Sequence, residues 1–297
     1  MTAANITSTK PEKRTNVRVE MGMPSWVRVG FGTAGRIAPG PTSAVAAHLF
    51  RRTRRSAPRP GERDVLRAAV GSRVAGMQVW SWGQGPTVLL VHGWNGRATQ
   101  LGGLVDPLVA RGYRVVAFDA IGHGESAGSQ SSLPELANCI RQVVEEVGGV
   151  FAIVAHSLGG AATTFALAYG MQAERAVFIA PPADPREFLA LFSSSLGIGE
   201  EVSSRVKTLV EQRLGVPMEE MRASEIAPMM NTPLLVIHDR DDKEVPFQVG
   251  RVVADAWPGA ELITTEGLGH QRILRDPAVM NAAVDFVDAH RHRRRAA

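Results

Sequence analysis

A serine hydroxyl is a weak nucleophile at neutral pH, and proteins that use one set it in a particular frame. Such a frame stands at Ala155-His156-Ser157-Leu158-Gly159-Gly160, directly after the apolar run Val150-Phe151-Ala152-Ile153-Val154. A strand, a sharp turn and a helix start at this point would thrust Ser157 out of the backbone. The free N–H groups at the helix start would then face the carbonyl that the hydroxyl attacks. Ala155 and Gly159, two positions either side of the serine, are small enough for the chain to turn tightly. The usual pattern has glycine at both places, so Ala155 is a departure of one methyl group.

The rest of the chemistry requires a base, an acid to orient it, and a second donor for the developing oxyanion. Eight histidines are available as the base. His92 and His238 end apolar runs, and His123 sits in a glycine-rich turn. His156 adjoins the serine, and neighbouring side chains in such a turn point apart. His48, His290 and His292 lie toward the two ends of the chain. His270 is different. It closes Glu266-Gly267-Leu268-Gly269-His270, a flexible loop after the last apolar run that can carry an imidazole over a sheet edge. For the acid, Leu234-Leu235-Val236-Ile237 leads into His238-Asp239-Arg240-Asp241-Asp242, which offers three aspartates.

At this point the chain resembles the α/β-hydrolase fold superfamily. That family follows its acid-bearing strand with His-Gly-x-x-Asp-x-x-Val-Pro, a register that places the acid at Asp242 and matches Val245 and Pro246. Asp239 stands where the family has glycine, and Asp241 is the alternative acid. Val88-Leu89-Leu90-Val91-His92-Gly93-Trp94 resembles the family's strand and His-Gly-x, whose third residue lends a backbone N–H to the oxyanion hole. The resemblance gives that role to Trp94, paired with the N–H of Leu158. Asp119-Ala120-Ile121-Gly122-His123-Gly124-Glu125-Ser126 resembles the family's Asp-x-x-Gly-x-Gly-x-Ser turn, which shapes the loop beside the site.

Ser157, Asp242 and His270 also follow one another in the family's chain order. The resemblance spans about residues 74–290. It implies an α/β fold: a doubly wound, mostly parallel sheet with a short helical cap between its sixth and seventh strands. It further implies a serine hydrolase that cleaves a carboxylic ester or related acyl bond of a small molecule through an acyl-enzyme, with no cofactor. A thioesterase or acyltransferase would use the same triad, and a ligand-binding relative without catalysis is the rival from another class. Serine at the elbow speaks against haloalkane dehalogenase and epoxide hydrolase chemistry, where the family uses aspartate.

Two other site chemistries find less support. The acidic cluster at 239–242 beside His238 lacks a second His or Cys cluster nearby, so no metal is expected. Gly93 and Gly96 could suggest a phosphate loop, but the Lys-Ser/Thr of that motif is missing.

The elements that must position these residues follow one rhythm from about residue 61. Apolar runs predict strands at 74–82, 86–91, 113–119, 150–155, 175–180, 233–238 and 260–265, the later ones fully buried. Helical spacing appears at about 98–111, 133–147, 157–170, 247–256 and 276–289. The alternation predicts helices on both faces of a parallel sheet. About fifty residues between Pro182 and Pro233 break the rhythm, with apolar residues at helical spacing. An insertion there, about 184–230, falls at the ligand-binding end of the strands and reads as a cap. Its Phe188, Leu191, Phe192 and Leu196 suit an apolar acyl pocket or the cap's own core.

Composition sets the remaining bounds. With 297 residues, 44% of them hydrophobic, the chain can build a sizeable core. The net charge of +4 conceals an imbalance, because residues 1–60 carry eleven Lys/Arg against two Glu. This arm reads as polar and partly disordered to about residue 24, with a short helix from Pro41-Thr42-Ser43 and an Arg/Pro linker over 51–60. A basic tail at 291–297 closes the chain. Basic arms can touch anionic membranes or nucleic acid, though a solvated segment is the plainer reading. The acidic body and the lack of aromatic-rich basic patches argue against nucleic acid. The single cysteine, Cys139, excludes an internal disulfide and reads as a buried apolar residue. Neither a secretory signal nor a membrane span can be drawn through 26–50, so a cytoplasmic location is expected.

Overall fold

The computed structural model describes residues 23–289. The first part of the basic arm (1–22), the tail at 291–297, His290 and His292 lie outside the described residues. Eight strands form one sheet: β1 (Val70–Val74), β2 (Met77–Trp82), β3 (Thr87–Val91), β4 (Arg114–Asp119), β5 (Ala152–His156), β6 (Arg175–Ile179), β7 (Leu234–Asp239) and β8 (Glu261–Thr265). Their spatial order is β1-β2-β4-β3-β5-β6-β7-β8. β1 pairs antiparallel with β2, and β2 antiparallel with β4; every other pairing is parallel.

Strands β3, β5, β6 and β7 are buried along their whole length, because helices cover both faces of a parallel sheet. The expected single strand over 74–82 is instead the hairpin β1–β2. It turns at Ala75 and Gly76, with φ of 47° and 84°. Two left-handed residues suit a tight hairpin, but Asn or Asp normally announces the first of them, and alanine hides it. The last strand also departs from expectation. β8 is the sheet's edge and is mostly exposed, although its apolar run predicts a buried strand.

The helices are α1 (Ser25–Ile37), α2 (Pro39–Phe50), α3 (Val105–Ala110), α4 (Leu133–Glu146), α5 (Leu158–Ala168), α6 (Pro185–Leu196), α7 (Glu200–Leu214), α8 (Ala223–Ile226), α9 (Phe247–Ala256), α10 (Gly269–Arg272) and α11 (Pro277–Asp288). Helix α4 begins at Ser132, whose hydroxyl accepts from Glu135 N at 3.3 Å, and α11 at Asp276, which accepts from Ala278 N and Val279 N. The expected helix over 98–111 splits into a 3₁₀ stretch, Ala98–Leu104, and α3. Gly102-Gly103 weakens an α-helix there, and a Cβ at Gly103 would lie 2.6 Å from the Met280 side chain.

Between β6 and β7 lie α6, α7, α8 and two 3₁₀ turns, at the position expected for a cap. Helices α1 and α2 pack onto it, α1 against α6 and α2 against α7. The contact is close: a Cβ on Gly32 would stand 2.9 Å from Gly197 O. Phe192 meets Phe50 edge to face at 5.2 Å and, with Leu196, is buried in the core. Those two residues therefore hold the cap together, while Phe188 and Leu191 stay half-buried. No helix among the described residues is long and apolar enough to cross a membrane.

Candidate active site

In this order the chain leaves β3 toward β4 on one side and later returns to β5 on the other. Open α/β sheets bind ligands where the winding reverses in this way, at the carboxyl ends of the strands. Both β3 and β5 end here in a site motif, and the two strands are hydrogen-bonded neighbours.

Ser157 forms the elbow between β5 and α5 with φ 51° and ψ −127°, a conformation that costs a non-glycine residue energy. The fold holds it there by hydrogen bonds from Ser157 N to Ile179 O (2.9 Å) and from Gly160 N to Ser157 O (2.8 Å). A Cβ at Gly159 would lie 2.7 Å from His92 O, so only glycine fits that side of the turn. Ala155 is buried inside β5 between Val91 and Phe178, where its methyl fits. Gly93 brings the β3 loop against the elbow, since a Cβ there would stand 2.8 Å from Ser157 Cβ.

His270 is carried by α10 at the end of the glycine loop, where Gly267 and Gly269 take φ of 77° and 63°. Its Nδ1 donates to Asp242 Oδ2 at 2.7 Å, with both side chains buried. In the neutral ring that bond sets the tautomer with the proton on Nδ1, so that Nε2 is the acceptor. His156 lies against the other side of the loop: its Nε2 donates to His270 O at 3.0 Å, and the rings stand 4.6 Å apart. Ser157 Oγ has no hydrogen-bond partner among the described residues. The structure thus brings Asp242 and His270 together and sets Ser157 at the same edge, with the serine–imidazole bond unmade. Such bonds are commonly loose before substrate binds.

The three aspartates divide the work. Asp242 Oδ1 accepts from Glu244 N (2.8 Å) and Val245 N (2.9 Å), which fixes the carboxylate before it meets His270. Burial raises the pKa of Asp242, but hydrogen bonds from His238, His270 and Val245 N outweigh it and hold the group ionised well below the usual carboxylate range. Asp239 Oδ2 accepts from Thr265 Oγ1 (2.7 Å) and Leu268 N (3.0 Å), and Asp241 Oδ2 from Gly267 N (2.9 Å). Both brace the loop that carries His270. The sequence flagged them only as rival acids, since a brace reaching across 26 to 29 residues has no local pattern.

Leu158 opens α5, where a helix N–H has no intrahelical acceptor, and Trp94 lies in the turn after β3. His92 and His123 shape that turn and its neighbour. His92 Nδ1 donates to Gly93 O at 2.7 Å and its Nε2 accepts from Ala120 N at 3.0 Å. Asp119 accepts from Ala98 N and Glu125 N, tying the β4 turn to the 3₁₀ stretch. No group of three His, Cys, Asp or Glu side chains among the described residues is arranged to hold a metal ion.

Comparison with known families agrees with this arrangement. A model described as the alpha/beta hydrolase family matches residues 88–220, and one described as TAP-like protein matches 210–294. The chain belongs to the α/β-hydrolase superfamily. Among its relatives, this α/β hydrolase is 26% identical over 245 residues to a pyrethroid hydrolase of Sphingobium wenxiniae, covering 68% of this chain and 88% of that one. It is also 26% identical over 236 residues to a lysophosphatidylserine lipase, ABHD12, of Danio rerio. That match covers 69% of this chain and 58% of the lipase. An esterase structure from Exiguobacterium antarcticum superposes with a TM-score of 0.57 at 15% identity, covering 74% of this chain and 99% of the esterase. The relatives support hydrolase activity.

The buried histidines give this hydrolase a testable acid response. Burial lowers the pKa of His92 to about 4 and that of His123 to about 3, and in His123 the neighbouring His92 adds to the effect. Burial also lowers His156 well below its usual value. A histidine with a depressed folded pKa takes up a proton on unfolding, so its contribution is present above pH 6.5 and lost as pH falls. Asp119 acts in the opposite sense: burial raises its pKa to about 6, which favours the folded state as pH falls from there. Three groups against one leave a net proton uptake on unfolding. The unfolding free energy from urea titration is expected to fall by roughly 1–3 kcal/mol per pH unit from pH 6.5 to 4, and the urea midpoint with it. A flat midpoint across that window would contradict the neutral burial of these rings.

Proposed function

We propose that the chain is a serine hydrolase that cleaves a carboxylic ester through an acyl-enzyme. The observation that carries this reading is the fixed Asp242–His270 pair, whose loop is tied through His270 O to His156, the residue before the strained Ser157 elbow. Ser157 Oγ attacks the ester carbonyl carbon while His270 Nε2 takes the hydroxyl proton. Asp242 keeps Nδ1 protonated and stabilises the imidazolium that forms. The N–H groups of Trp94 and Leu158 receive the oxyanion, and losing one such donor typically costs ~10²–10³ in rate. As the carbon–oxygen bond to the alcohol breaks, Nε2 returns its proton to the leaving oxygen. Water then attacks the acyl carbon, giving a proton to Nε2, and Ser157 departs with that proton as the acid is released. The net change is ester and water to acid and alcohol.

The lipase among the named relatives favours an ester, and the pyrethroid hydrolase supports hydrolysis. The single buried, unpaired cysteine fits a cytoplasmic setting. The test is treatment of the purified protein with a fluorophosphonate probe, followed by peptide mapping, and turnover of p-nitrophenyl esters of increasing chain length. Labelling at Ser157 together with ester turnover is expected. No labelling and no turnover would overturn the proposal.

A further inference from the structure

Residues 51–62 precede the part of the chain that resembles the family, and the Arg/Pro content of 51–60 reads as a linker. In the structure they are stitched down along their length. Arg51 O accepts from Ser131 N (2.9 Å), and Thr53 N donates to Ser129 O (3.0 Å). Thr53 Oγ1 donates to Gly122 O at 2.6 Å, and Arg55 Nη2 to Ser126 O and Gly128 O. The segment then crosses the loop after β3. Arg54 N donates to Asn95 Oδ1 at 2.7 Å. Two residues further along that loop, Arg97 reaches back: Nη2 donates to Ser56 O at 2.6 Å, and Nη1 to Glu62 Oε1 at 2.6 Å. Thr99 Oγ1 donates to the same Glu62 oxygen at 2.7 Å. The Arg97 and Glu62 side chains keep only 9% and 10% of their surface, too little water for either charge to do without the other.

The first of these anchors, Asn95, sits in the turn that carries Trp94, and the second, Arg97, directly follows that turn. Gly96 N closes it onto Gly93 O at 3.0 Å, and Asn95 sits in the left-handed region at φ 56°. Asn enters that region more readily than most residues, and here the strap's own backbone donor fixes its side-chain oxygen.

We propose that residues 51–62 are a strap that positions the oxyanion site. Arg54 acts through Asn95, and Glu62 through Arg97, to hold the Trp94 N–H where the oxyanion develops. The proposal rests on the serine-hydrolase reading above. Donor placement is exacting, since a misplacement of about 1 Å can cost ~10² in rate. Asn95, Arg97 and Glu62 are then positioning residues.

Asn95→Gly is the sharp test, because glycine keeps the left-handed turn and removes only the acceptor for Arg54. Its kcat on a p-nitrophenyl ester is expected to fall about 10- to 100-fold, with KM changed by less than about twofold. Affinity for an alkyl boronic acid, which forms a tetrahedral adduct on serine, should weaken by a similar factor. Asn95→Asp restores the acceptor and should recover most of both losses. Arg97→Met should show the same split between kcat and KM. A strap that merely stabilises the fold would lower the melting temperature and leave kcat and boronate affinity in place. If the unmutated protein is labelled at Ser157 while Asn95→Gly and Arg97→Met keep full kcat and boronate affinity, the strap proposal is overturned and the serine reading stands. If the unmutated protein neither labels nor turns over ester, the serine reading falls, and the strap proposal with it.

Discussion

Ser157→Ala is expected to lower kcat/KM for ester cleavage by about 10⁴- to 10⁶-fold, leaving the residual rate that an oxyanion site and binding alone provide. The size of the effect follows from the roles assigned around it. Without Oγ there is no acyl-enzyme, and neither His270 nor the two N–H groups can substitute for a missing nucleophile. Folding should survive. Ser157 is held by its backbone, through Ile179 O and Gly160 N, and its hydroxyl has no hydrogen bond to lose among the described residues. The melting temperature should therefore stay within a few degrees, and fluorophosphonate labelling should vanish. Alanine at φ 51° carries the same strain as serine, so a large stability change would point to an unrecognised structural role for the hydroxyl. Undiminished turnover by this variant would remove Ser157 from the reaction.

Parts of the site are legible in the sequence where the determining contacts are local. The elbow is one: an apolar run, small residues beside the serine and a helix start all lie within about fifteen residues. The acid is legible only through the family resemblance, whose register over His238 to Pro246 points to Asp242, and the structure pairs that residue with His270. What stays hidden is set by distant partners. Arg54 meets Asn95 across 41 residues and Glu62 meets Arg97 across 35, so a segment rich in Arg and Pro reads as a linker although both ends are anchored. The same holds for α1, whose close packing on the cap depends on glycines in two separate helical regions, Gly32 and Gly197. The β1–β2 hairpin is missed for a different reason. Its turn places an alanine where backbone preference calls for Asn, Asp or Gly, so tertiary pairing with β4 overrides the local signal.

Replacing the three loop aspartates one at a time is expected to separate their roles by orders of magnitude. Asp242→Asn should lower kcat by about 10⁴ with little change in KM. An asparagine amide can still accept from Glu244 N and Val245 N, so the loop keeps its shape. Its NH₂ would then face His270 Nδ1, and the ring would turn to the tautomer with the proton on Nε2. That tautomer cannot take the serine proton, so fluorophosphonate labelling should slow in parallel with kcat, and the melting temperature should drop by roughly a few degrees as the ionised acceptor is lost. Asp241→Asn should cost only a few-fold, because its remaining oxygen can still accept from the exposed Gly267 N. Asp239→Asn falls between them. One carboxylate oxygen there takes both Thr265 Oγ1 and Leu268 N, and the other takes Asp241 N, so an amide must give up a bond and loosen the loop under His270. A reversed order, with Asp241→Asn inactive and Asp242→Asn active, would make Asp241 the orienting acid and the observed 2.7 Å pair a structural contact.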